Sequence, residues 1–131
     1  MDSLRIEKAD TTPLLDFNIE TMNFFIEGEC RPENVLTYFE PIMQWLDKYV
    51  DWLYKKESNG VLDFHFKLEY YNSLSAKFIF NIFKRLKVIQ SSGTEVNMFW
   101  FYDTLDEDLF ESGQEYSKIL GLKFHFVALQ D

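Results

Sequence analysis

Within residues 61–70, apolar and polar side chains alternate from Leu62 onward, which is the pattern of a β-strand with one buried face and one wet face. Helical patterns lie on both sides of this strand. Strands separated by helices favour right-handed crossovers in a mixed or parallel sheet, and the alternation indicates that helices cover mainly one face of it. The apolar face carries Leu62, Phe64, Phe66, Leu68 and Tyr70, and the polar face carries Asp63, His65, Lys67 and Glu69.

The other elements follow from apolar spacing and from turn residues. Apolar residues at heptad spacing from Pro32 to about Lys55 predict a long helix, with Pro32 and Glu33 in its first turn and with Pro41 kinking or restarting it. The predicted fold is therefore a two-layer α/β domain with a mixed sheet, in the order β-β-α-β-α-β-α-β, and it forms a single domain over residues 1–131. The remaining predicted elements are a hairpin of residues 14–19 and 22–27 ending at Gly28, helices from about Ser73 to Gln90 and from about Leu105 to Leu120, and strands Glu95 to Tyr102 and Lys123 to Leu129.

Composition excludes several kinds of partner and cofactor. The chain has 131 residues and a net charge of −9, so its average surface repels nucleic acid and anionic membranes, and we expect neither as a partner. No apolar run is long enough to span a bilayer. Cys30 is the only cysteine, and two histidines cannot complete a Cys/His zinc set. We expect a cytoplasmic protein without a metal or another cofactor.

The usual catalytic motifs are absent from the sequence. It contains no G-x-S-x-G elbow, no P-loop and no G-x-G-x-x-G. His65 and His125 fall on the polar phase of their strands, which is typical of solvent-facing histidines. Cys30 precedes a predicted helix N-terminus, where a reactive thiol is a minor alternative. The sequence therefore predicts a protein that is not an enzyme.

An acidic segment lies between the predicted strand 95–102 and the following helix. Its carboxylates are Asp103, Asp106, Glu107 and Asp108. In the simplest interpretation Asp103 or Thr104 caps the helix and the other acids complement the helix dipole. Two alternatives stay open: an acidic docking surface for a basic partner, and a Mg²⁺-type site in a metal-dependent enzyme.

Polar residues Asn72, Ser73 and Ser75 stand where the strand 61–70 gives way to a helix. One of them can simply be the N-cap. A phosphoryl group at this point would also meet unpaired backbone N–H groups and the positive end of the helix dipole. The sequence therefore allows both a structural cap and a phosphorylation site.

The helix that starts at Ser73 is apolar on two sides. One stripe, which we assign to the core, comprises Ala76, Ile79, Phe80, Phe83 and Leu86. The second stripe either packs against a neighbouring helix or meets a partner, including a second copy in a constitutive homodimer. That stripe comprises Leu74, Phe78, Ile82 and Ile89.

Four sequence blocks occur in order over nearly the whole chain: residues 28–34, residues 38–46, Leu68-Glu69-Tyr70-Tyr71-Asn72-Ser73-Leu74-Ser75-Ala76-Lys77, and residues 100–108. Together they resemble the SiaC family of bacterial regulatory phosphoproteins. The resemblance implies a fold like that of anti-sigma-factor antagonists of the STAS type. It also implies partner switching, in which a Ser/Thr kinase with a histidine-kinase-like ATPase domain and a PP2C-type phosphatase act on the protein. It further implies that the unmodified form activates a diguanylate cyclase, whose product cyclic di-GMP governs biofilm behaviour.

Within the third block, the family's phosphorylated hydroxyl residue follows an asparagine and falls on Ser73. Charge added there would lie beside Leu74 and Phe78 of the second apolar stripe. We therefore expect Ser73 to be the phosphorylation site, with partner-binding residues around it. The expected partner-binding residues are Asn72, Leu74, Ser75, Phe78, Ile82, Asp103 and Asp106.

Overall fold

A computed structural model describes residues 1–57 and 59–129. Within these residues it has six strands and three helices. The strands are β1 (Leu4–Ile6), β2 (Leu14–Asn18), β3 (Asn23–Cys30), β4 (Val61–Tyr71), β5 (Glu95–Asp103) and β6 (Lys123–Leu129). The helices are α1 (Val35–Lys56), α2 (Ser73–Ser91) and α3 (Glu107–Leu120).

The strands form one sheet in the order β1-β2-β3-β4-β5-β6. β1, β2 and β3 are antiparallel, whereas β3 to β6 are parallel, and one helix connects each parallel pair. Successive right-handed crossovers in one direction place all three helices on the same face. The predicted two-layer α/β architecture with a mixed sheet is confirmed.

Strand β1 is missing from the predicted order. Three residues are too few for alternation to stand out from a polar N-terminal segment. The strand is fixed by its neighbour, since Leu4 pairs with Phe17 and the Arg5 guanidinium lies 3.0 Å from a carboxylate oxygen of Asp16. The observed order is therefore β-β-β-α-β-α-β-α-β.

Helix α1 starts later than its sequence predicts and is not divided. Asn34 caps it by accepting a hydrogen bond from the Thr37 N–H, so Pro32 and Glu33 lie before the first turn. Pro41 lies inside an uninterrupted helix. The carbonyl that loses its N–H partner belongs to Thr37, an exposed residue, so water can satisfy it. Restarting the helix at Pro41 was therefore the wrong expectation.

Aromatic rings fill the layer between the helices and the sheet. Trp100 of β5 is fully buried, stacks on Phe66 at 4.1 Å between ring centroids, and donates its indole N–H to the carbonyl of Leu109 in α3. Gly113 of α3 lies against the indole, and a Cβ there would come within 2.7 Å of it. The close approach of α3 to the sheet therefore requires a glycine.

Candidate functional site

The carboxyl edge of the parallel sheet is where three helices begin. Strands β3, β4 and β5 run in the same direction, and each leads within a few residues into a helix whose first turn is capped by a side chain. The capping residues are Asn34 for α1, Asn72 for α2 and Asp106 for α3. Polar and exposed residues from three connections are therefore gathered along one edge, as in other open α/β sheets.

Asn72 fixes the start of α2. Its side-chain oxygen accepts a hydrogen bond of 2.9 Å from the Ser75 N–H, and its own N–H donates to the Cys30 carbonyl of β3 at 3.1 Å. The predicted cap is therefore confirmed as a structural feature of Asn72. Because the cap is bound to the adjacent strand, the first turn of α2 is held in a fixed position.

Ser73 is the first residue of α2 and is exposed. The N–H groups of Ser73 and Leu74 have no acceptor within the helix, because an α-helix leaves its first N–H groups unpaired. Leu74 is 63% exposed. An accessible hydroxyl therefore lies beside free backbone donors, the positive end of the dipole and an exposed leucine.

Ser75 has a different environment, although it is only two residues further along. It is fully buried, and its hydroxyl accepts a hydrogen bond from the Cys30 thiol at 3.6 Å. Burial raises the pKa of Cys30, with the Ser75 hydrogen bond acting in the opposite direction, so the neutral thiol is favoured. Ser75 is therefore a core residue and not part of an exposed partner surface.

Most of the second apolar stripe of α2 is also inside the chain. Ile82 and Ile89 are buried, and the half-buried Phe78 ring stacks on Phe39 of α1 with 5.0 Å between centroids. The alternative of contact with a neighbouring helix is therefore correct for Phe78. Ile82 and Ile89 instead share the buried face of α2 with Ile79, Phe83 and Leu86. Ile82 does not contribute to an exposed surface, so a homodimer contact through this stripe stays a prediction that could use only its exposed part. Only Leu74 of the stripe is left exposed.

Two apolar side chains at the same edge are exposed although the sequence pattern did not predict their exposure. Leu36, in the first turn of α1, is 61% exposed, and Tyr70, near the end of β4, is 52% exposed. Alternation had assigned Tyr70 to the buried face. A register shift between Gly28 and Glu29 of β3 moves the end of β4 out of phase, and Gly28 has a φ of +112°. The glycine within a strand was the available signal for this bulge.

Two of the carboxylates in the acidic segment have structural roles. Asp106 caps α3 by accepting from the Leu109 N–H at 3.0 Å, so the expectation of Asp103 or Thr104 as the cap was wrong. Asp103 instead accepts from the Leu105 N–H at 2.8 Å within the preceding turn. Among residues 1–57 and 59–129, no three His, Cys, Asp or Glu side chains are grouped so as to hold a metal ion.

Both histidines lie on the sheet face that the helices leave open. His65 stacks between Phe25 and Phe99 and lies 3.2 Å from the amide oxygen of Asn23. Burial lowers the pKa of His65, Asp63 opposes that shift and Lys67 adds to it. His125 stacks on Phe99 and bonds to an asparagine amide. Each ring is held by aromatic stacking and an amide, an arrangement that differs from that of a catalytic base oriented by a carboxylate.

The fold and the carboxyl edge define a two-layer α/β protein with helices on one face and an exposed serine at the start of its central helix. The model of the SiaC family of regulatory phosphoproteins matches residues 6–129. This chain therefore belongs to the SiaC family, as the resemblance in its sequence predicted. No helix in the described part of the chain has the length and apolar character to cross a membrane.

Several proteins of Pseudomonas aeruginosa are similar to this chain. An uncharacterised protein of strain UCBPP-PA14 is 23% identical over 124 residues, covering 95% of this chain and 94% of that protein. The crystal structure of apo-SiaC has a TM-score of 0.82 at 22% identity, covering 98% of this chain and 100% of that one. SiaC has also been solved in complex with the diguanylate cyclase SiaD, of which SiaC is the activator. The match to that structure has a TM-score of 0.83 at 22% identity, covering 96% of this chain and 99% of that one. The same fold therefore occurs in a cyclase activator.

Proposed function

We propose that this protein is a non-catalytic regulator whose binding to an effector is switched off by phosphorylation of Ser73. The effector that we propose is a diguanylate cyclase, because the similar SiaC of P. aeruginosa is an activator of the cyclase SiaD. The observation that carries the proposal is the position of Ser73: an exposed hydroxyl at a rigidly capped helix start beside the exposed Leu74.

The enzymes that set the switch are proposed from the family. A Ser/Thr kinase with a histidine-kinase-like ATPase domain would add the phosphoryl group, and a PP2C-type phosphatase would remove it. Both would act in the cytoplasm, where ATP is available. The exposed side chain of Ser73 is accessible to both enzymes without unfolding of α2.

Physical chemistry makes this position suitable for a switch. A phosphoryl group adds a charge of about −1.5 to −2 at pH 7. At the N-terminus of α2 that charge is compatible with the folded chain, because it meets free N–H groups and the dipole. Within an apolar contact at Leu74, however, an unpaired dianion is costly to bury. A penalty of about 3 kcal/mol would weaken effector binding more than about a hundredfold.

Affinity purification from the native cell tests the proposal. The tagged chains are the wild type, Ser73→Ala, Ser73→Glu and the control Ser91→Glu, which adds the same charge at the exposed far end of α2. Phosphosites are mapped by mass spectrometry. We expect phosphate on Ser73 of the wild type, and a cyclase retained by Ser73→Ala but lost from Ser73→Glu. Ser91→Glu should retain as much cyclase as the wild type does. Identical partners for all four chains, with no phosphate on Ser73, would contradict the proposal. Ser73 would then have only a structural role at the start of α2.

A further inference from the structure

A cleft opens between the ends of β4 and β5 and the start of α3. Its volume is about 700 Å³, and its walls include two exposed leucines, Leu105 at 83% exposure and Leu129 at 46%. Leu68, Phe101 and Leu109 contribute further apolar lining. Exposed leucines around a concave apolar surface are typical of a binding site for another chain.

The cleft continues across the edge of the sheet towards the first strands. A second hollow of about 360 Å³, which includes Leu14 and Gly28, shares Lys67, Glu69 and Leu129 with the first. The two hollows therefore form one continuous groove, which we call the carboxyl-edge groove. Its shape suits a peptide segment better than a small molecule enclosed on all sides.

The charge of the carboxyl-edge groove is predominantly negative. Five carboxylates and two lysines line it. Glu27 and Glu69 form no ion pair with any described residue, whereas the Lys67 ammonium lies 4.6 Å from the centroid of the Phe101 ring. The carboxylates are Glu7, Glu27, Glu69, Asp103 and Asp106, and the lysines are Lys8 and Lys67.

We propose that the carboxyl-edge groove binds a segment of a partner protein that carries an apolar side chain next to arginine or lysine. The apolar side chain would pack between Leu105 and Leu129, where it removes exposed apolar surface from water. The basic side chain would approach Glu69, whose carboxylate has no ion-pair partner in the described chain. The acidic rim favours such a segment over a neutral or acidic one of the same shape.

The groove lies at the same edge of the sheet as the proposed phosphorylation site. Glu69 of β4 lines the groove, and Ser73 follows Glu69 by four residues at the start of α2. This inference rests on the proposed function in one respect, because it assigns the bound segment to the effector. One effector could then contact Leu74 and the groove together, with Ser73 phosphorylation weakening the first contact.

Titration of the isotope-labelled full chain with short synthetic peptides, followed by NMR, tests this proposal. One peptide places leucine between two arginines, the second replaces arginine with glutamate, and the third replaces leucine with alanine. We expect shifts around Leu105 and Leu129 with the arginine–leucine peptide, and weaker binding of the other two. The test uses unmodified protein and no cyclase, so a failed phosphorylation switch would leave its outcome unchanged.

Single substitutions locate the binding site. We expect Glu69→Gln and Leu105→Ala each to weaken binding of the arginine–leucine peptide by about twofold to fivefold, the effect of one rim contact. The control Glu95→Gln removes the same charge at the opposite edge of the sheet and should leave binding unchanged. Equal binding of all three peptides, no binding at millimolar peptide, or equal effects of Glu69→Gln and Glu95→Gln would overturn the proposal.

Discussion

The layer between the helices and the sheet and the carboxyl edge of the same sheet use apolar side chains in opposite ways. In the layer, Trp100 and Phe83 are almost completely buried. At the edge, Leu74 and Leu105 are mostly exposed although both are apolar. The first region stabilises the fold, and the second is free to bind, so stability and binding are expected to respond to different substitutions.

Helix α2 belongs to both regions. Ser73 and Leu74 face solvent, whereas Ser75 is fully buried against Cys30. The change occurs within one helical turn and is set by the Asn72 cap, which ties the turn to β3. Charge can therefore be added at Ser73 without displacing the buried side of the same helix.

The largest effect on stability is expected at Phe83, whose ring contacts those of Phe64, Trp100 and Tyr116. Phe83→Ala should lower the free energy of unfolding by about 3–5 kcal/mol, since it leaves a cavity among rings that cannot close around it. Urea unfolding measures the loss. Leu105→Ala at the edge is the control and should change stability by less than about 0.5 kcal/mol. Equal losses for both variants would contradict the division into two regions.

A smaller effect on stability is expected from the two asparagine caps. Asn72→Ala and Asn34→Ala each remove one hydrogen bond to the first turn of a helix and should each cost about 1 kcal/mol of unfolding free energy. Effector binding should separate them. Asn72→Ala loosens the turn that carries Ser73 and Leu74, so it should weaken binding, whereas Asn34→Ala should weaken it less. Calorimetry on both variants makes the comparison, and equal affinities would show that the α2 turn has no special role.

The smallest expected effect concerns His65 on the open face of the sheet. Burial lowers the pKa of this histidine in the folded chain, so the unfolded chain binds the proton more readily. Stability should therefore fall as the pH decreases from the ordinary histidine pKa, about 6.5, towards the lower folded value, and it should level off below that value. His65→Gln should remove this part of the slope of melting temperature against pH. An unchanged slope would mean that other groups cause it.

Much of the fold was predictable because it depends on local patterns. The alternation in residues 61–70 predicts β4, and the apolar stripe from Val35 predicts α1. Asn72 before a serine predicts the start of α2. These signals reflect burial periodicity and capping, which act within a few residues.

The parts that could not be predicted depend on contacts between distant segments. β1 is recognisable only from its pairing with β2, and Tyr70 is exposed where the β3–β4 register shifts, so that Glu69 of β4 has no partner on β3. The groove likewise combines residues from five strands and one helix, so no single motif indicates it.

Phosphate on Ser73 is proposed to block effector binding while the fold stays intact. This is tested most directly by calorimetric titration of a diguanylate cyclase from the same cell with the unmodified chain and with the chain phosphorylated at Ser73, combined with thermal melts of both forms. We expect phosphorylation to cause at least about a hundredfold loss of affinity, with melting temperatures of the two forms that agree within about 3 °C. Equal affinities, or a loss of affinity accompanied by unfolding of the phosphorylated chain, would contradict it.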